Sequence, residues 1–299
     1  MKVSSPDKLI YPADGVTKAD VVAHYQAVGE RMMDFLAGRP LTLQRFPRGI
    51  DAVGFMQKNA ANHFPDSIRR HPVPKREGGH TVYPVVDHAV DLAYLANQNT
   101  VTFHMWTSTV DQPGHPDWMV IDLDPEDGDV EKVRVATGVV REVLSEFDVL
   151  GIPVATGSKG FHVWVPLDGT LGYDRVAVAA RAIAGLAVTV DPHRLTTEFL
   201  KKNRGGRVFV DWLRSAPTAT VVVPFSLRPR PGAPVAVPMR WDELPTAEPT
   251  GWTIHDLGDR LAVDTALSPQ TLPVDDIVSA ARSGGVDLDT PHDRFGRER

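Results

Sequence analysis

The chain has 299 residues, 42% of them hydrophobic and 23% charged, and carries a net charge of -6. That is an ordinary globular composition, long enough for two lobes and a sizeable core. The absence of cysteine excludes disulfides, thiolate zinc sites and cysteine nucleophiles, so any metal must sit on Asp, Glu or His.

In chain order, Thr17-Lys18-Ala19-Asp20 has the form of a helix start. Val21, Val22, Tyr25, Val28, Met32 and Phe35 follow at helical spacing until Gly38 and Pro40 stop the run. Leu41 to Phe46 alternates as a strand does. Residues 47–80 read as loops with short elements. Strands are predicted at 82–86 and 101–106, around a short helix near 89–97. Trp118 to Asp124 is a strand stopped by Pro125, and 130–147 is an amphipathic helix. A strand over 161–167 and an Ala/Val-rich helix over 174–189 come next, then a strand over Val208 to Trp212. Residues 224–249 hold seven prolines and should wrap rather than form regular elements. Residues 284–299 read as mobile. Strands and helices do not alternate strictly, so the prediction is an α+β fold with a mixed or antiparallel sheet.

The charge is unevenly distributed. Residues 241–299 hold 12 acids and 5 bases. The window 194–230 carries Arg194, Lys201, Lys202, Arg204, Arg207, Arg214, Arg228 and Arg230 against Glu198 and Asp211. A polyanion could dock on such a stripe, although a solvated surface with a compensating tail explains it equally well. No apolar run approaches the roughly 18 residues of a membrane span, and the start of the chain is too polar for a signal peptide. A cytoplasmic, nucleoid-associated protein is the expectation.

Two features carry chemistry. Asp122 and Asp124 are two apart on a strand, so both carboxylates point to one face while Ile121 and Leu123 point to the core. Two like charges this close favour a cation or proton between them. Asp211 closes a second apolar strand in the same style. Three such carboxylates could hold two divalent ions for phosphoryl transfer, but strand-end acids facing solvent remain open, as does a glycosyltransferase built on Asp122-x-Asp124. The second feature is the loop Thr156-Gly157-Ser158-Lys159-Gly160-Phe161-His162. Its glycines allow close backbone approach to an anion, and Lys159 adds a point charge. A plain glycine hairpin is the alternative.

Asp122-Leu123-Asp124-Pro125, the Thr156–His162 loop and Val208-Phe209-Val210-Asp211 together resemble the three motifs of the archaeo-eukaryotic primase superfamily. The closest likeness is to the polymerase domain of the bacterial non-homologous end-joining DNA ligase, here as a stand-alone protein. Asp7 to Pro12, Gly15 to Lys18, Arg45-Phe46-Pro47, Phe55 with Gln57-Lys58, His104-Met105-Trp106 and Pro224 to Arg230 fit as well. The likeness runs over nearly the whole chain. It implies one primase-polymerase unit of two closely packed lobes over residues 1–285, followed by a mobile tail over 286–299.

The resemblance further implies a template-dependent DNA/RNA polymerase that extends a primer 3′-OH at gaps or breaks, working in DNA repair. Asp122, Asp124 and Asp211 would hold two ions, Mn²⁺ or Mg²⁺. Thr156, Lys159, His162 and Arg228 would bind the triphosphate, and His104 and Arg204 would line the nucleotide pocket. Lys8 and Lys18 would grip a DNA 5′-phosphate, and Phe55 would lie near the template. Implied partners are gapped DNA, NTP or dNTP, a Ku-type end-binding protein and a DNA ligase, with the chain itself monomeric.

Three departures from the family pattern stand out. Thr156 replaces the usual Ser, Met56 replaces a second aromatic beside Phe55, and Arg214 stands in a run that is normally Asn/Gln-rich, where it would replace an amide contact. A non-catalytic module that recognises a 5′-phosphorylated DNA end is the competing reading. Among lone features, His24 reads as a polar helix position, His63, His71 and His80 lack ligand spacing, Met32 and Met33 read as core, and Trp241 and Trp252 read as packing anchors.

Overall fold

A computed structural model describes residues 2–75, 77–263 and 267–290. The chain opens with a small ribbon, β1 (Leu9–Tyr11) and β2 (Val16–Thr17), leading into helix α1 (Lys18–Leu36). The capping box read from the sequence is formed: the Thr17 side chain accepts from the Asp20 N–H, and Asp20 accepts from the Thr17 backbone. Next come β3 (Leu41–Arg45), β4 (Phe55–Gln57), β5 (Arg69–Pro74), β6 (His80–Val85), α2 (Ala89–Asn97) and β7 (Thr100–Met105). The stretch 47–80 therefore contains two strands; β5 pairs with β6 as an antiparallel ribbon.

The second half contains β8 (Trp118–Asp124), α3 (Val130–Ser145), β9 (Ile152–Ala155), β10 (Phe161–Pro166), α4 (Tyr173–Val190), β11 (Leu195–Thr196), β12 (Val208–Asp211), β13 (Val221–Val222), β14 (Val237–Pro238) and α5 (Val274–Ser283). α5 has no counterpart among the predicted elements. The proline-rich stretch does wrap, contributing only β14 and a short 3-10 turn over Trp241–Thr246.

Two sheets organise the molecule. One has the order β13-β7-β3-β4 and the other β11-β12-β8-β10-β9-β14. Only the β11–β12 pair of the larger sheet is parallel, so the sheet is mixed and the fold is α+β, as predicted. Along β8 the side chains alternate with period two between two cores. Val120 of β8 joins the first core, which includes α1, α2 and the smaller sheet, whereas Met119, Ile121 and Leu123 join the second core, formed with α3, α4 and α5. The face of β8 that carries Val120, Asp122 and Asp124 is thus turned toward the first core. The acids lie where the two cores meet.

The expected tail begins in packed positions. Val286 and Leu288 pack on the second core, and Arg181 donates to the carbonyls of Asp287, Leu288 and Thr290. The rest of that tail, residues 291–299, lies outside the described residues. His24 is a position of helix α1, as read, but a buried one. It is 6% exposed and its Nε2 is 2.9 Å from the Phe225 carbonyl oxygen. Met32 is buried and Met33 partly so. Trp241 donates to the Gly151 carbonyl and Trp252 lies under Arg260, so both are packing anchors.

Candidate active site

β8 is flanked by β12 and β10, both antiparallel to it. The register sets Asp211 opposite Asp122 on one side and His162 opposite Asp122 on the other. Three polar residues therefore form one row across three strands, and Asp124 lies two residues further along β8 on the same face. Apolar neighbours force this: Val208, Val210, Phe161 and Val163 face the second core, which leaves the alternate positions for the site.

The row is bonded together. His162 Nε2 is 3.4 Å from Asp122 Oδ1, and Trp164 Nε1 donates to His162 Nδ1 at 3.4 Å. The Trp164 contact assigns the ring proton to Nε2, which then donates to Asp122. Arg214 Nε lies 3.0 Å from Asp122 Oδ2 and 3.3 Å from Asp211 Oδ2. Asp211 Oδ1 accepts from the Leu213 N–H, tightening the turn that follows β12.

The three carboxyls respond differently to this setting. Burial pushes Asp122 up, but His162 and Arg214 outweigh it and hold the carboxyl well below the usual range. Burial and the neighbouring Asp122 raise Asp124, with Lys159, Arg204 and Arg214 opposing. Burial raises Asp211, with Arg214 opposing. Asp124 and Asp211 thus bear a net cost for their charge, the condition a cation relieves.

The predicted loop closes between β9 and β10. Gly157 has φ +63, and a Cβ there would meet Arg228 Cγ at 2.8 Å, so only glycine lets the turn lie on Arg228. Arg228 donates to the Thr156 carbonyl at 2.8 Å. The Thr156 hydroxyl itself donates to the Gly160 carbonyl at 2.7 Å, so it braces the loop. Lys159 is exposed. His104, on β7 of the other sheet, faces this cluster. Its Nδ1 is buried without a partner, and burial, with the charges of Arg228 and Arg214 beside it, lowers its pKa to about 3. It is an uncharged polar group among cationic neighbours. Arg204 is buried, donates to the Glu198 and Phe199 carbonyls and lies 4.0 Å over the Phe209 ring.

Lys8, Lys18 and Phe55 are not in this cluster. Lys8 donates to the Pro47 carbonyl and to Asn99, and Lys18 to Ser4 at 2.7 Å. The two lysines are near enough for Lys8 to add to the burial that lowers Lys18. Phe55 and Met56 are about half exposed on the edge strand β4, with Arg45 5.4 Å over the Phe55 ring. Sequence reasoning missed Trp164 as the partner of His162, and Asn99 and Ser4 as partners of the lysines. The period-two offset from His162 to Trp164 is the one signal that pointed to any of them.

Among the described residues no three His, Asp and Glu side chains stand grouped ready to hold a metal. The donor chemistry nevertheless fits a hard divalent cation: three carboxylates share one face, and a positive side chain, Arg214, already bridges two of them.

The family model "LigD, primase-polymerase domain" matches residues 17–267. The chain belongs to the LigD primase-polymerase family. It is 35% identical over 251 residues to the multifunctional non-homologous end joining protein LigD of Mycobacterium bovis, covering 81% of this chain and 33% of that protein. It is 30% identical over 264 residues to the LigD of Pseudomonas aeruginosa, covering 87% of this chain and 31% of the relative. The chain therefore spans about a third of the length of these curated relatives. The polymerase domain of Mycobacterium tuberculosis Ligase D, solved in complex with DNA, superimposes with a TM-score of 0.78 at 32% identity, covering 97% of this chain and 99% of that one. The α+β architecture of that polymerase domain is thus shared over 97% of this chain.

Proposed function

We propose that this chain is a template-dependent DNA/RNA polymerase of the primase type, adding nucleotides to a primer 3′-OH at gaps or breaks in DNA during non-homologous end joining. The observation that carries this reading is the row Asp211–Asp122–His162 with Asp124 beside it, at the junction of the lobes. Membership of the LigD family supports it.

Asp122, Asp124 and Asp211 would hold the divalent ions, Mn²⁺ or Mg²⁺. When bound, these lower the pKa of the attacking hydroxyl and neutralise charge on the triphosphate. The chain's own residues do the remainder. His162 donates to Asp122 and fixes its orientation. Lys159 and Arg228 present positive charge to the triphosphate, and the glycines of the loop let backbone and phosphate approach. The carbonyl contact of Arg228 to Thr156 keeps the arginine against that loop. Neutral His104 and buried Arg204 line the nucleotide pocket. Lys8 and Lys18 recognise the 5′-phosphate across the gap, and Phe55 offers an exposed ring for stacking near the template. Gapped DNA, nucleoside triphosphates, a Ku-type protein and a ligase are the proposed partners. No described helix is long and apolar enough to cross a membrane, in keeping with action on DNA.

Primer extension on a gapped, 5′-phosphorylated duplex tests the reading, with ribo- and deoxyribonucleotides and with Mg²⁺ and Mn²⁺. Asp124→Asn should lose extension by at least about a hundredfold while its thermal midpoint in EDTA stays equal or rises, because like-charge crowding is relieved. Binding of the duplex without extension by the wild-type chain would instead identify a DNA-end module.

A further inference from the structure

Arg214 is the residue of the site that the family pattern does not explain. It sits in the 3-10 turn Leu213–Ser215, directly after β12. That turn is pinned at both ends. Leu213 N–H donates to Asp211, and Ser215 Oγ accepts from the Val120 N–H of β8 at 3.1 Å. The backbone of Arg214 is thereby fixed against the two acid-bearing strands. Its side chain is 42% exposed, whereas those of Asp122 and Asp211 are 14% and 9% exposed. A single nitrogen, Nε, reaches both carboxylates. The guanidinium therefore fills the place between two acids from the solvent side, on a flexible stem that has room to leave.

A side chain in that place answers the same electrostatic demand as an ion, but with one charge rather than two. Both cannot occupy the space between Asp122 and Asp211. We propose that Arg214 is a tethered cation that closes the metal site at rest and must swing toward solvent when a divalent ion enters, so that it sets the ion concentration at which the site loads. This inference rests on the reading of Asp122, Asp124 and Asp211 as metal ligands. Three carboxylates on one face attract an entering dication more strongly than the single charge of Arg214, which spans only two of them. The pinned turn returns the side chain to the same place when the ion leaves.

The test is equilibrium Mn²⁺ binding to the full, nucleotide-free chain, read by the electron paramagnetic resonance of free Mn²⁺. Wild type, Arg214→Gln, Arg214→Lys and Asp124→Asn are compared. Arg214→Gln should bind Mn²⁺ about tenfold more tightly than wild type, and Arg214→Lys, which keeps a charge, should bind less tightly than Arg214→Gln. In EDTA, Arg214→Gln should melt lower than wild type, and Mn²⁺ should raise its midpoint more. If Arg214→Gln does not fold, Arg214→Met, which keeps the stem, is read in the same way. Equal or weaker Mn²⁺ binding by the uncharged variants, with binding still lost in Asp124→Asn, overturns the role of Arg214 and leaves the metal site standing. Mn²⁺ binding that Asp124→Asn leaves unchanged, or no binding by any variant, overturns the metal site and this inference together.

Discussion

Asp122 and His162 stand opposite each other on β8 and β10, with His162 Nε2 3.4 Å from Asp122 Oδ1 and Trp164 fixing the other ring nitrogen. The contact gives a buried carboxylate a hydrogen-bond donor on one side while Arg214 supplies charge on the other. It explains why Asp122 keeps its charge despite burial, and why Trp164, deep in the first core, bears on the site.

His162→Ala should therefore do more than open a small cavity. It strands the Trp164 indole N–H and removes a donor from Asp122. A loss of about 2 kcal/mol in chemical denaturation is expected, together with reduced primer extension. His162→Gln, which can still donate to Asp122, should recover most of the stability.

Gly160 is a second fixed point. A Cβ at this position would lie 1.8 Å from the Leu123 carbonyl oxygen and 3.3 Å from Pro125 Cδ. Gly160→Ala must push β10 away from β8 where Asp122 and Asp124 sit. We expect a stability loss of about 3 kcal/mol and weaker nucleotide binding. Thermal melting and a nucleotide titration check both.

Lys18 is 3% exposed and tied to Ser4, with Lys8 nearby. Burial, then the charge of Lys8, lowers its pKa. A phosphate placed between the two lysines would relieve that repulsion. Lys18→Met should reduce the preference for a 5′-phosphorylated over a 5′-hydroxyl gap by about tenfold, measured by fluorescence anisotropy at fixed salt. Its effect on unphosphorylated duplex should be small.

His24 makes stability depend on pH. Burial lowers its pKa to about 4, opposed by the hydrogen bond to Phe225, whereas in the unfolded chain it titrates near 6.5. Between those values the unfolded state binds the extra proton, so stability is full above about pH 6.5 and falls as pH drops toward 4. Going from pH 7 to pH 5 should cost about 2 kcal/mol through this group. His24→Gln should lose that share of the slope, as urea melts at the two pH values would show.

Local signals carried much of the site. The alternation in Trp118 to Asp124 put both acids on one face and Ile121 and Leu123 in the core, and that is where they lie. The glycines at 157 and 160 read as allowing approach to an anion; the structure adds close contacts to Arg228 and Leu123 that the local pattern does not specify. α1 was legible from its capping box, because a cap and a 3.6-residue apolar period are both local. α5 was missed, and the packing of residues 286–290 was not foreseen. Val286 is held by contact with Gly185, about a hundred residues away in the chain, and no local pattern encodes such a contact.

Residue identity and spacing alone determined which chemistry is available: three strand-borne acids, a glycine loop with Lys159 and His162, and no thiol. They also determined the family likeness. Only the tertiary structure decided that β8 lies between β12 and β10, which brings Asp211 and His162 to Asp122 from opposite sides. It alone decided that Arg214 reaches two of the acids, that the Thr156 hydroxyl turns inward to Gly160, and that His24 is buried. The physical reason is range. Side-chain alternation and turn chemistry act over a few residues and are written in the order of the chain. Strand order, and the charge each carboxylate meets, arise from burying both faces of a sheet at once, which couples positions some ninety residues apart, as in the Arg214–Asp122 pair.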